Sequence, residues 1–417
     1  MTGSIDRARK KRTELVFFAL FIPWITLCII SETTLSYSFS KAADYIVWLL
    51  KSLILPVSLV LLNLFVISRT DLRRKLLVLI SIVLLTAQCF MLTYSDDLLL
   101  CICLMIAAMN IDFKKILKVY LFTSLTLVIL MTVAASTGMI SNIVSHRYGA
   151  TRYALGTFWC TDYSSRVFFL LLIVLYLYSA KMKLLHWLAL ASAVLLVYHF
   201  TVGKMDLICM MTALLLFFLH ELIVNSKKSF ALRTKWPRIW GKLAPFFTPV
   251  SAVLITCLTL LYSLKSEILL DLNTILSDRL LYGNRAFSEI GITPFGKYVE
   301  WIGMGGISDD VLPEGYNFVD ASYLNILFSF GIIAAILMIV LLSYIAYHHR
   351  RDTRLVIVIA LISIQCILAH HFIDIAYNPF WVVFLAKREY NAPSSQPSSD
   401  AEQPVSAIIG TNLQKGE

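Results

Sequence analysis

Arg152, Lys204 and Arg279 are the residues best suited to hold an anion: Lys204 adjoins a hydrophobic run, and the two arginines lie in outer segments near predicted membrane edges. Arginine presents a planar fork of donors that never deprotonates and matches phosphate, whereas lysine offers a compact point charge. The chemistry to expect of such a set is a clamp on a diphosphate. A plainer reading stands beside it at each position. An arginine near an apolar edge snorkels or pairs locally, as Arg285 would with Glu289 one helical turn on. Lys204 either closes a tight connection beside Asp206 or faces a polar cavity.

The acid–base candidates are fewer. Asp320 directly precedes a long apolar run and reads either as a helix N-cap or as a general base that takes a hydroxyl proton. Arg147, Asp162, Tyr323 and His370 are expected around the same cavity. His370, His371 and Asp374 interrupt an apolar stretch, and ionisable groups in such a place invite a functional reading. His-His-x-x-Asp is still a poor metal signal without further ligands, so neither a metal nor another cofactor is expected. The adjacent pairs Asp96, Asp97 and Asp309, Asp310 make no Asp-x-Asp arrangement and read as solvated loop. The eight cysteines show no CxxC and no paired spacing. Most sit inside apolar runs, as small buried side chains do.

What must position these residues is a membrane protein. Over 417 residues, 59% are hydrophobic and 15% charged, and mean hydropathy is +0.77; so few charges could not cover a soluble surface. Runs long enough to cross roughly 30 Å of hydrocarbon number about twelve. They include Leu98–Asn110, Ala321–Tyr347, Leu355–His370 and Phe372–Ala386; helices are the default spanning element, and the split near His370 could instead be a re-entrant bend. The fold class expected is therefore an all-α polytopic membrane protein. With the N-terminus inside, 26 Lys and Arg fall in inner segments and 10 outside, the full 36 of the chain. Acidic residues run the other way, 10 inside and 16 outside. That asymmetry orients the chain in a cell membrane with both termini cytoplasmic. It also accounts for the net charge of +10 through anionic headgroups, so nucleic acid is not an expected partner.

Residues 1–390 read as one multi-pass domain, and 391–417 as a disordered cytoplasmic tail rich in Pro, Ser and Gln. Two outer segments are long. Ser136 to Arg166 carries His146, Arg147, Arg152 and Asp162 among glycines. Residues 265–320 form the large outer loop. Its opening, Ser266 to Ile290, spaces Leu269, Leu272, Leu276, Leu280 and Phe287 as a helix lying in the interface plane. The glycines and prolines after it predict an irregular lid.

The order of these features resembles the Wzy-type polysaccharide repeat-unit polymerases, the superfamily that also holds the O-antigen ligases. Four stretches carry the likeness: Arg147-Tyr-Gly-Ala-Thr-Arg152-Tyr-Ala-Leu-Gly156; Phe200-Thr-Val-Gly-Lys204-Met-Asp206; Asp278-Arg279-Leu with Gly283 and Phe295-Gly296; and Tyr316-Asn-Phe-Val-Asp320-Ala-Ser322-Tyr323. Lys204 stands where an arginine is usual, and Phe158-Trp-Cys-Thr-Asp162 lacks the usual Pro-Asn. The resemblance implies an inverting, metal-independent glycosyl transfer on the outer leaflet, with polyprenyl-diphosphate-linked oligosaccharides as substrates. A flippase and a chain-length regulator would be assembly partners. Arg152, Arg279 and Lys204 would receive the diphosphate, and Asp320 or His146 the proton. Three rivals stay open: a flippase of lipid-linked oligosaccharide, which would show internal repeats, a glycan ligase of the same superfamily, and a scaffold that recruits other assembly enzymes.

Overall fold

The computed structural model describes residues 2–67, 71–147, 149–226, 230–307 and 313–388. The tail from Asn391 and the pair Asp309, Asp310 lie outside the described residues. Residues 1–387 form one compact unit. Among the described residues, nine helices are long and apolar enough to cross a membrane. They are α1 (Lys11–Ser31), α2 (Lys41–Ile67), α3 (Leu72–Thr93), α5 (Phe113–Ser136), α6 (Cys160–Lys181), α7 (Leu184–Thr201), α8 (Lys204–Asn225), α9 (Phe230–Leu264) and α13 (Gly331–His348). Between them come the short helices α4 (Asp97–Ala107), α10 (Glu267–Ile275), α11 (Arg279–Glu289), α12 (Ser322–Ser329) and α14 (Thr353–Gln365). The chain is an all-α, multi-pass membrane protein with one small hairpin.

Four of the twelve expected spans take another form, among them Leu355–His370, which is cut to the 13 residues of α14. Leu98–Asn110 becomes α4, whose 11 residues rise only about 16 Å, half the hydrocarbon thickness. Ala321–Tyr347 is broken into α12 and α13 at Gly331, where φ is +87°. A Cβ there would lie 2.3 Å from the Gly296 nitrogen, so the lid segment packs directly on the break. That segment repairs the interrupted ladder, because Ile332 N donates to Thr293 O and Ile333 N to Pro294 O at 3.0 and 3.2 Å. Phe372–Ala386 is not an α-helix at all.

Instead, a largely irregular chain with a short 3-10 helix at Pro379–Phe384 runs from His371 to Lys387, whose nitrogen donates to Ile111 O at 2.7 Å. Phe372, Ile373, Ile375, Tyr377, Phe380 and Trp381 along it are all buried. Non-helical backbone survives among membrane helices only when protein satisfies its polar groups, and here side chains do so. Ala376 O accepts from Tyr120 Oη at 2.6 Å and Arg166 Nη1 at 3.0 Å. Phe372 O accepts from Asn378 Nδ2 at 2.8 Å and Trp381 Nε1 at 2.7 Å.

The connections sort to two ends. At one end Thr34 N donates to Gly156 O, Gly306 N to Phe158 O and Ser322 N to Cys366 O. At the other, Arg354 grips Glu221 with Nε at 2.7 Å and Nη2 at 3.1 Å, and Tyr176 Oη meets Asp352 at 3.1 Å. The candidate residues gather at the first end.

Candidate functional site

Arg152 reaches its place on a β-hairpin that the sequence did not announce. Strands β1 (Val144–Arg147) and β2 (Ala150–Tyr153) pair antiparallel, with Ser145 opposite Arg152 and His146 opposite Thr151. Alternation puts Ser145 and Arg152 on the covered face, and both are buried. Arg152 Nε donates to Thr201 O at 2.9 Å, and its guanidinium lies 5.7 Å from the Trp159 ring centroid. Its head is thus fixed at the mouth of α7.

Arg279 is positioned by a broken helix. The single interfacial helix expected over Ser266 to Ile290 is two helices, α10 and α11, because Ser277 and Asp278 take left-handed φ values of +53° and +65°. Non-glycine residues there are strained by about 1–3 kcal/mol each, so the break needs support. Asn273, buried, supplies it: Nδ2 donates to Asp278 Oδ1 at 2.7 Å, while Oδ1 accepts from Leu281 N at 3.0 Å. Arg279 then opens α11 with Nε on Leu368 O at 2.6 Å and Nη1 on Leu276 O at 2.8 Å. Nη2 is left facing Asp320 Oδ2 at 3.5 Å. Gly283 lets α11 pack this close, since a Cβ there would meet Thr259 Cγ2 at 2.7 Å.

The histidines come from the segment after α14. His371 is buried and stacked on Tyr377, with centroids 3.6 Å apart and planes 12° apart. Arg166 covers Tyr377 at 4.0 Å. Nε2 of His371 lies 3.8 Å from Asp162 Oδ1, and Nδ1 lies 3.5 Å from Asp374 Oδ2. Burial works against a charge on His371, but the two carboxylates prevail and raise its pKa to about 9. Burial and that neighbouring charge press His370 down to about 4.

These pieces enclose a cavity of two chambers. The larger, about 710 Å³, has an aromatic lining that includes Phe158, Trp159, Tyr282, Trp301, Tyr316 and Phe318. The smaller, about 550 Å³, is lined by Met205, Ile208, Ile275 and Leu368 together with Lys204 and Asp206. Arg152, Asp162, Arg279, Asp320, His370 and His371 line both. The arrangement offers cations for an anion at the shared wall, an aromatic room on one side and an aliphatic one on the other.

Most of the expected residues therefore meet. Lys204, exposed at the start of α8, lines the smaller chamber, and His146, also exposed, lines the larger. Asp320 does not cap α12, whose N-cap is Ala321. Tyr323 is a correction: it is buried away from both chambers, with its hydroxyl donating to Ser363 O at 3.0 Å. Three residues on from Asp320, its side chain turns into the packing against α14. Arg147 ends β1, and its side chain lies outside the described residues. Arg285 pairs with Glu289 at 3.8 Å, the plainer of its two readings. The cysteines form no disulfides and are buried except Cys257.

Sequence reasoning missed three groups. Glu32 lines the larger chamber, and burial, then the nearby Asp374 charge, raises its pKa to about 8. A lone carboxylate at the end of α1 gave no sign of this. His371 was visible only as part of a weak trio. Asp206 is buried under Ser164, Ser165 and Gln365, whereas its sequence position suggested a hairpin turn.

Compared with family models, characterised proteins and solved structures, the chain matches none of them.

Proposed function

We propose that this protein is a membrane glycosyltransferase that polymerises polyprenyl-diphosphate-linked oligosaccharide repeat units on the outer leaflet. The observation that carries the reading is the shared wall, where Arg152 and Arg279, from two separate connections, face both chambers at once. The diphosphate of the donor would lie against these guanidiniums, with Lys204 adding a point charge from the smaller chamber. Its polyprenyl tail would leave along the aliphatic lining of Met205, Ile208 and Ile275. Sugars of the two substrates would stack on the aromatic residues of the larger chamber.

In the transfer, the non-reducing hydroxyl of the acceptor forms a bond to the anomeric carbon of the donor. The bond from that carbon to the diphosphate breaks, and the electron pair departs on the phosphate oxygen, where the arginines stabilise it. The configuration inverts, and the hydroxyl proton passes to Asp320. Arg279 Nη2 faces Asp320 Oδ2 at 3.5 Å, and a diphosphate that takes Nη2 would leave that carboxylate oxygen to the hydroxyl.

Purified protein supplied with lipid-linked repeat units and no nucleotide sugar should yield a ladder of longer lipid-linked glycans. Arg279→Ala should abolish the ladder while the protein still inserts and stays monodisperse; wild-type yield from that variant would refute the assignment. Movement of substrate across liposomes without a ladder would point to a flippase. Transfer only onto a different acceptor would point to a ligase.

A further inference from the structure

His370 and His371 gain in the fold the partner they lack in sequence. Asp162, from the first turn of α6, brings a carboxylate oxygen to them, and one ligand atom from each of the three falls within 4.8 Å of the others. We propose that Asp162, His370 and His371 hold a divalent first-row cation, with its remaining coordination positions open to the two chambers.

Spacing is the first support. The 3.8 Å between His371 Nε2 and Asp162 Oδ1 is too long for a hydrogen bond. Two donors bound about 2.1 Å from one ion stand roughly 3–4 Å apart, so the gap suits an ion. The second support lies behind the ring. His371 Nδ1 is buried without a hydrogen-bond partner, yet Asp374 Oδ2 lies only 3.5 Å away. A metal-binding imidazole regularly turns its other nitrogen to a carboxylate, which fixes its tautomer and makes it a better donor. The third is rigidity: Tyr377 stacks on His371, and Phe318 holds His370 edge-on at 4.9 Å.

Two imidazoles and one carboxylate suit Zn²⁺, Co²⁺ or Mn²⁺ and leave positions for water or a substrate oxygen. All three residues line both chambers, so an ion here would sit beside the arginines. The inference replaces the metal-free site expected from the sequence, and it stands whether or not the protein polymerises glycans.

The test is direct binding of Co²⁺, followed by its visible absorption, to full-length protein purified in detergent without a polyhistidine tag. Wild type should bind a single tight Co²⁺ per chain and release it to Zn²⁺. Asp162→Asn and His370→Gln should lose that band while remaining monodisperse. Asp374→Asn should weaken binding by roughly 10- to 100-fold. His348→Gln, at the opposite end of α13 from the cavity, should change nothing. Wild-type binding no tighter than that of Asp162→Asn, or full binding by both ligand variants, overturns the proposal.

Discussion

Glu32 joins the site through its environment. A half-buried carboxyl whose pKa lies at about 8, against an ordinary 4.5, keeps a proton in the folded chain that the unfolded chain gives up. The contribution to stability is then full below about pH 4.5 and is lost as pH rises through about 8. Glu32→Gln, which cannot ionise, should flatten this part of the melting-temperature profile and leave the variant relatively more stable at pH 9 than at pH 5. Parallel wild-type and variant curves would remove Glu32 from the buried set. The same residue marks the limit of reading chemistry from sequence. Arg152 and Arg279 were legible as cations on the face where acidic residues prevail, and Asp320 as a carboxylate directly before an apolar run. Glu32 was not, because its cost comes from burial and then from the Asp374 charge, and only the fold supplies either.

At the scale of elements, the chain places its site residues with breaks. Ser277 and Asp278 stop α10, Gly331 divides α12 from α13, and each break is held by a specific partner. Asn273→Ala removes both hydrogen bonds that hold the first of these. It should cost roughly 1–3 kcal/mol, read as a lower denaturation midpoint in detergent, and reduce ladder yield because Arg279 loses its aim. An unchanged midpoint would show that the break is held by other contacts. Apolar periodicity predicted both helices that run through these points, since hydrophobic spacing continues across the breaks. The left-handed residues and the lid backbone that satisfies Ile332 and Ile333 carry no periodic signal. The hairpin of Arg152 went unseen for a similar reason, being two four-residue strands inside a loop.

For the molecule as a whole, helix content and the polar end followed from hydropathy and charge, because both are summed over many residues. The two-ended sorting of connections predicts an orientation that labelling can check. In a cysteine-free background, Tyr298→Cys should react with an impermeant thiol reagent in intact cells, and Lys183→Cys only after permeabilisation. The reverse pattern would turn the protein over and end the outer-leaflet reading. What composition left open is whether an apolar run is a spanning helix: the split near His370 allowed a re-entrant bend, and Phe372–Ala386 is a wrapped chain with one short 3-10 helix at Pro379–Phe384. This has a bearing on biogenesis. A helix can partition into lipid as it emerges from the translocon, its own backbone already satisfied. The stretch from His371 to Lys387 has no such independence, because Tyr120 and Arg166, made long before it, must already be in place to receive it. Insertion of this stretch is therefore a docking event, and the pocket wall that carries His371 forms only once those earlier helices stand.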